Sequence, residues 1–247
     1  MDALDGLDAL NWSGLLCAYG PADTVPDLLR RVLDEDATSR SAALEDLWGT
    51  VWHQGTVFEC TPLVVPFLVN LATNPEGDDD TRAQVALLLT SVATATSFVL
   101  PHDQQMRRPA WLREPGETTP ARDLTVESQP AVAACVATLV HGATNAPPAT
   151  RAGLVAVLAA VATDLPTTAV AALRPLDDDD DERLATAACL TRMLTEDGVT
   201  DDVLLRLAEV DVDAADYLAS IGGWPVGVRA VELVRELAER VATEQAR

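Results

Sequence analysis

The sequence predicts an all-α chain of about six repeated helical hairpins, interrupted by one long loop insertion. Three observations carry that prediction. Apolar residues recur at helical spacing along almost the whole chain. Four segments align on an arginine and share one apolar face. Aromatic residues make up only 4% of the 247 residues, while Ala, Val and Leu dominate, a composition that suits packed helices better than strands.

The four segments are Arg40-Ser-Ala-Ala43-Leu44-Glu-Asp-Leu47, Arg82-Ala-Gln-Val85-Ala86-Leu-Leu-Leu89, Arg151-Ala-Gly-Leu154-Val155-Ala-Val-Leu158 and Arg183-Leu-Ala-Thr186-Ala187-Ala-Cys-Leu190. Counted from each arginine, positions +4 and +7 are apolar in all four. Position +3 is apolar in three and Thr186 in the last. These positions lie on one side of a helix. Asp36, Asp80 and Asp181 precede three of the arginines, where acid satisfies the free amides of a helix start. The arginines are 42, 69 and 32 residues apart. The long interval resolves as one repeat of ~42 residues plus an insertion at roughly 98–127, rich in Pro and without helical period.

Each element follows from this spacing. A first pair is expected at Trp12–Tyr19, ended by Gly20-Pro21, and at Val25–Leu33. A second is expected near 38–52 and 62–73, with Thr61 as cap and Pro62 as first helical residue. The third covers 81–97 and 129–141, and the fourth 148–162 and 166–174. The fifth covers 180–195, closed by Gly198, and 201–209. The last covers 213–221 and 225–244 around Gly222-Gly223-Trp224-Pro225. No β-sheet is expected. Leu44, Leu47, Val85, Leu89, Leu154, Leu158 and Leu190 should be core, in one domain over 1–247.

Composition narrows the function. The net charge is −22, and every basic residue is Arg. Missing Lys reads as codon usage in a GC-rich genome rather than as chemistry. A surface this acidic repels phosphate backbones and anionic membranes. Arg30-Arg31 and Arg107-Arg108 are the only adjacent basic pairs, so nucleic acid is not an expected partner. The stretch 83–100 is too polar for a comfortable membrane span, and the acidic start at Met1-Asp2 does not read as a signal peptide. Cys17, Cys60, Cys135 and Cys189 are scattered, without a CxxC pair, and read as reduced thiols in a cytoplasmic protein.

The repeated D-x(1–3)-R-x-x-[AVL]-[AVL]-x-x-L helices resemble those of bacterial HEAT-repeat α-solenoid proteins, within the HEAT/armadillo-like superfamily. The resemblance covers most of the chain. The segment from Leu47-Trp48 through Trp52-His53-Gln54-Gly55 and Phe58-Glu59 to Pro62, followed by Val65-Pro66-Phe67-Leu68, is similar to one in a group of such proteins from GC-rich bacteria. The resemblance implies a right-handed superhelix whose second helices line a concave groove. It is nearly silent on function, because this architecture serves scaffolds, adaptors and a few enzymes. Some HEAT-like proteins are DNA glycosylases with a basic concave face, and no such face is visible here.

Two segments depart from the repeat. At 48–60, Trp48 and Trp52 share a helical face, His53-Gln54-Gly55 close the helix, and Glu59 opens the next. A hairpin would bring His53 and Glu59 together as an acid–base pair. In the structural alternative the Trp pair is core, His53 caps carbonyls and Glu59 complements a helix start. The insertion carries Arg107, Arg108, Arg113 and Arg122 with Met106 and Trp111, and between Pro101 and Arg122 its net +1 contrasts with the rest. It is either a partner-binding loop or a loop folded back on acidic surface. Trp52, His53, Gln54, Glu59, Arg107, Arg108 and Trp111 together form the expected ligand or partner site.

The run Asp177–Glu182 lacks the alternation and Gly of a calcium loop and reads as a helix start. His102 and His141 are isolated, no zinc spacing occurs, and there is no P-loop, dinucleotide fingerprint or nucleophile elbow. No metal or cofactor is expected. The leading expectation is a non-catalytic module that holds a protein or peptide in its groove. The rival is a small metal-independent lyase, hydrolase or cyclase using His53 and Glu59. A special case of the first is an acidic immunity protein that masks a basic partner.

Overall fold

A computed structural model describes residues 3–95, 125–196 and 198–245. Helices, short 3-10 turns included, hold 73% of the described residues. The α-helices are α1 (Val25–Arg31), α2 (Ala37–Val51), α3 (Thr61–Thr73), α4 (Asp79–Ala93), α5 (Thr125–Ala133) and α6 (Val136–Asn145). They continue with α7 (Pro148–Ala160), α8 (Thr167–Leu173), α9 (Glu182–Leu194), α10 (Asp201–Ala208), α11 (Val212–Ser220) and α12 (Val226–Gln245).

The capping chemistry explains many of these starts. Asp36, Asp78, Asp181, Thr200 and Asp211 each accept a hydrogen bond from an amide in the first turn of α2, α4, α9, α10 and α11. The cap of α4 is therefore Asp78, two residues before the expected Asp80. Helix α7 has no acid of its own at this point. Instead Asp79, from the start of α4, accepts from the Thr150 amide at 2.9 Å and from the Thr150 hydroxyl. The repeat that lacks an acid borrows one from its neighbour.

Two of the four aligned arginines, Arg40 and Arg151, reach back to the preceding loop, whereas Arg82 donates to the Ala72 carbonyl of α3 and Arg183 to the Asp181 carboxylate. Arg40, Arg151 and Arg229 each donate to the carbonyl five residues earlier, those of Glu35, Ala146 and Trp224. Arg229 therefore makes the same local bond as Arg40 and Arg151 near the start of α12. The sequence pattern misses it because Glu232 and Glu236 occupy +3 and +7. Two of these arginines also reach an acid ahead of a later helix, Arg151 with Asp179 at 2.6 Å and Arg40 with Asp78 at 3.8 Å.

All seven expected core residues are buried. Helix α4 packs on α7, and α7 also meets α6, α9 and α12. Helix α12 carries a clean stripe of buried residues: Ala230, Leu233, Val234, Leu237, Ala238, Val241 and Ala242. That stripe lies on α7 and α9 and reaches α4, beyond contacts between sequence neighbours. Ala83, Ala149 and Ala242 meet where α4, α7 and α12 converge. Gly153 brings α7 still closer: a Cβ there would stand 2.9 Å from the Ala86 Cβ and 3.1 Å from the Ala83 carbonyl oxygen.

Three expectations need correction. Residues Trp12–Tyr19 form no α-helix. Trp12–Gly14 is a 3-10 turn, followed by strand β1 (Leu16–Cys17) paired antiparallel with β2 (Gly20–Pro21). The Trp12 indole donates to the Leu7 carbonyl at 2.8 Å and packs on Phe67, which fixes the turn in place. Second, α2 ends at Val51, and β3 (Trp52–His53) pairs with β4 (Thr56–Val57). The expected absence of any sheet therefore fails locally at two short hairpins. Third, the helix expected at 129–141 is two helices, divided at Ala134–Cys135, where the Cys135 amide bonds to the Val132 carbonyl, one residue short of the α-helical partner.

Candidate functional site

The segment 48–60 is a strand-turn-strand corner between α2 and α3. Gln54 and Gly55 have φ of 49° and 84°. Two successive positive φ values make the tight turn that suits the twist of a two-residue hairpin. Glycine reaches that region freely, while a glutamine there is uncommon.

The corner is held from both sides. Thr61 is fully buried, and its hydroxyl donates to the Val51 carbonyl at 2.6 Å and accepts the Phe58 amide at 2.8 Å. Thr61 is the first residue of α3 and not its cap, since Cys60 precedes the helix. The β1–β2 hairpin docks alongside. The Ala18 amide bonds to the Thr50 carbonyl and the Cys60 amide to the Leu16 carbonyl, both at 3.1 Å.

This docking decides what His53 and Glu59 do. Glu59 Oε2 accepts the Leu16 backbone amide at 3.0 Å. His53 Nδ1 lies 3.4 Å from the Tyr19 hydroxyl, and the two rings meet edge to face at 5.4 Å. Among the described residues no hydrogen bond or ion pair joins His53 to Glu59. The hairpin brings the two into one corner and gives each a different partner. Sequence reasoning missed Tyr19 and Leu16, the residues that assign those roles, and took Thr61 for a cap rather than the buried brace of the corner.

Trp52 packs edge to face on Trp48, with centroids 5.6 Å apart and planes at 89°. Its indole nitrogen is buried without a hydrogen-bond partner. Gln54 occupies the turn itself. Arg107, Arg108 and Trp111 lie outside the described residues, as do His102 and nearly all of the expected insertion at 98–127.

Cys60 is fully buried, and burial, then the nearby Cys17, pushes its thiol up to about 12. A thiol so hard to ionise is a poor nucleophile at neutral pH. The acidic run is tied into ion pairs: Asp177 with Arg192, Asp179 with Arg151, and Asp181 with Arg183. Among the described residues, no three His, Cys, Asp or Glu side chains are placed to hold one metal ion. Nor is any described helix long and apolar enough to cross a membrane.

Two clefts flank α2. One, of about 440 Å³, lies between α2 and α4 and is lined by Ser41, Leu44, Glu45, Trp48, Asp80 and Gln84 among others. The other, of about 610 Å³, lies between α2 and the β1–β2 hairpin and includes Tyr19, Asp27, Glu45, Asp46 and Thr50. Glu45 lines both. Tyr19 is 75% exposed at the rim. No family model, curated protein or solved structure matches the chain.

Proposed function

We propose that the chain is a non-catalytic binding module, a HEAT-like helical solenoid that holds a protein or peptide partner. The supporting observation is the division of labour around the 48–60 corner. Glu59 fastens the β1–β2 hairpin through the Leu16 amide, and His53 packs on Tyr19. In this reading both groups serve as structural contacts, and open acidic clefts flank the same helix α2. The net charge of −22 makes a partner with basic surface the expected one, and disfavours nucleic acid and anionic membrane. The same reading places the protein in the cytoplasm, where its cysteines stay reduced.

The test is a reconstituted complex. Proteins captured from the host are purified separately and titrated against wild type and His53→Ala. A module gives saturable binding that His53→Ala weakens only modestly. An enzyme using His53 instead turns over a small molecule, and the variant loses ~100-fold or more in turnover with binding largely kept. That second outcome replaces the binding reading.

A further inference from the structure

The cleft between α2 and α4 has a particular chemistry. Ser41, Glu45 and Trp48 recur at i, i+4 and i+7 on one face of α2. Asp80 and Gln84, one turn apart on α4, line the opposite wall, and Leu44 contributes apolar surface. Its volume, about 440 Å³, falls in the range of pockets that take a discrete chemical group.

The charge inside it is unbalanced. Among the described residues Arg40 is the one cation that lines it, and its guanidinium is already engaged. It donates to the Asp34 and Glu35 carbonyls, both at 2.9 Å, and to the Thr81 hydroxyl at 3.1 Å. Asp78 is likewise occupied in capping α4 through Thr81. Among the described residues neither Glu45 nor Asp80, both exposed, forms an ion pair, although Gln84 hydrogen-bonds Asp80 and Arg40 attracts it. Burial and the neighbouring Asp78 push the Asp80 carboxyl up, as expected where negative charges outnumber positive ones.

Trp48 adds a second, independent attraction. Its indole is half-buried and braced against Trp52. An aromatic ring beside two carboxylates favours a planar cation over a compact one. A guanidinium stacks on the ring and presents a fork of donors to a carboxylate, whereas an ammonium is a strongly hydrated point charge.

Resting on the binding-module reading, we propose that the α2–α4 cleft receives an arginine side chain from a basic segment of a protein partner. Glu45 and Asp80 bind the guanidinium and Trp48 stacks on it. The second cleft shares Glu45 and adds the exposed Tyr19, while its Asp27 and Asp46 are paired with Arg30 and Arg31, so Glu45 and the Tyr19 ring are what it offers to a residue beside that arginine. The overall charge steers such a segment toward the protein, and the cleft then selects its side chain.

The test uses the full chain and a synthetic twelve-residue peptide with two arginines in a Gly/Ser background. Parallel peptides carry lysine or citrulline at the same places. Binding is followed by fluorescence anisotropy and by the indole resonance of Trp48 in two-dimensional NMR. The arginine peptide should shift that resonance, bind several-fold tighter than the lysine peptide, and bind at least tenfold tighter than the citrulline peptide. Glu45→Gln with Asp80→Asn should weaken it tenfold or more. Trp48→Phe, which keeps an aromatic ring, should weaken it a few-fold. Asp202→Asn with Glu209→Gln, the same charge change on and just after α10, should leave affinity within twofold. Melting curves confirm that each variant is folded.

Equal weakening by the α10 control would overturn the proposal, because attraction would then be to net charge alone. Equal binding of the citrulline peptide, or an unmoved Trp48 resonance, would overturn it too. A host partner that binds Glu45→Gln with Asp80→Asn as tightly as wild type removes the cleft but keeps the binding module. Turnover lost in His53→Ala removes the module reading itself.

Discussion

Helices α7 and α10 are both uninterrupted helical sequence, yet the fold treats them oppositely. Ten of the thirteen residues of α7 are buried, whereas α10 buries only Leu204 and Ala208 of its eight. The α7 sequence is apolar nearly all round, and α4, α6, α9 and α12 cover it. The α10 sequence is strongly two-faced and touches the core along one line, leaving Leu205 57% exposed. A helix apolar on all sides has to be enclosed, while an amphipathic one needs a single neighbour. Stability should therefore be concentrated around α7, with surface recognition free to vary elsewhere.

The contrast can be broken at its strongest point first. Leu158→Ala deletes a fully buried side chain of α7, and calorimetric or denaturant unfolding should show a loss of ~2–5 kcal/mol. Gly153→Val comes next. Its new Cβ would crowd the rigid Ala86 Cβ and the α4 backbone, and overpacking of this kind costs about 1–3 kcal/mol by the same measurement. A neutral outcome at both positions would mean that α7 is not enclosed as described.

The borrowed cap comes third. Asp79→Ala should cost about 0.5–2 kcal/mol, the ordinary range for a lost cap, although the helix it caps lies 71 residues further on. Asp181→Asn is the companion case, where the acid caps its own helix. Burial pushes the Asp181 carboxyl up, but hydrogen bonds from Arg183 outweigh this and hold it below the usual carboxylate range. A depressed value in the fold means stability that is complete above the unfolded value of ~3.9 and is lost as pH falls through the folded one. The melting temperature of wild type should thus fall more steeply below about pH 4 than that of Asp181→Asn, which caps without titrating. Smallest of all, Leu205→Ala on α10 should change stability by less than about 0.5 kcal/mol.

The same division marks what the sequence makes legible. The starts and ends of α2, α3 and α7 to α12 fall within a few residues of the expected ones, because the longer ones carry several turns of periodic burial and the short α8 and α10 are bounded by Pro166 and by the Thr200 cap. Residues 12–24 are different. Leu15, Leu16 and Tyr19 imitate helical spacing, but each strand of the hairpin is only two residues long, too short for an alternating pattern to register. Its position comes from bonds to Thr50, Glu59 and Cys60, which no local window contains. The β3–β4 turn did leave a trace, since Gln54-Gly55 stands between Trp-His and Thr-Val, a spacing suited to a tight hairpin.

The candidate site shows this limit most clearly. His53 and Glu59 belong to one strand-turn-strand corner, and each has a partner other than the other. Their chemistry is set by Tyr19 and Leu16, which come from the segment misread as helix. A pair of potentially catalytic residues can be recognised locally, but whether it is free to act depends on backbone donors brought from 43 residues away. Arg229 gives a milder version of the same lesson: its local bond to Trp224 matches those of Arg40 and Arg151, although Glu232 and Glu236 break the apolar pattern after it.

The enclosure of α7 has a consequence for how the protein is made. Its walls come from segments separated widely in the order of synthesis: α4 and α6 precede it, while α9 and α12 follow. Until α12 has emerged, Leu and Val surface of α7 has no permanent cover, and the stripe of α12 has nowhere to pack. A growing chain in that interval offers an apolar helix to whatever is near, and such surfaces attract chaperones or promote clumping. The dense acidity of the chain then acquires a role during translation. Mutual repulsion between unfinished chains keeps them apart while the last wall of the core is still being synthesised.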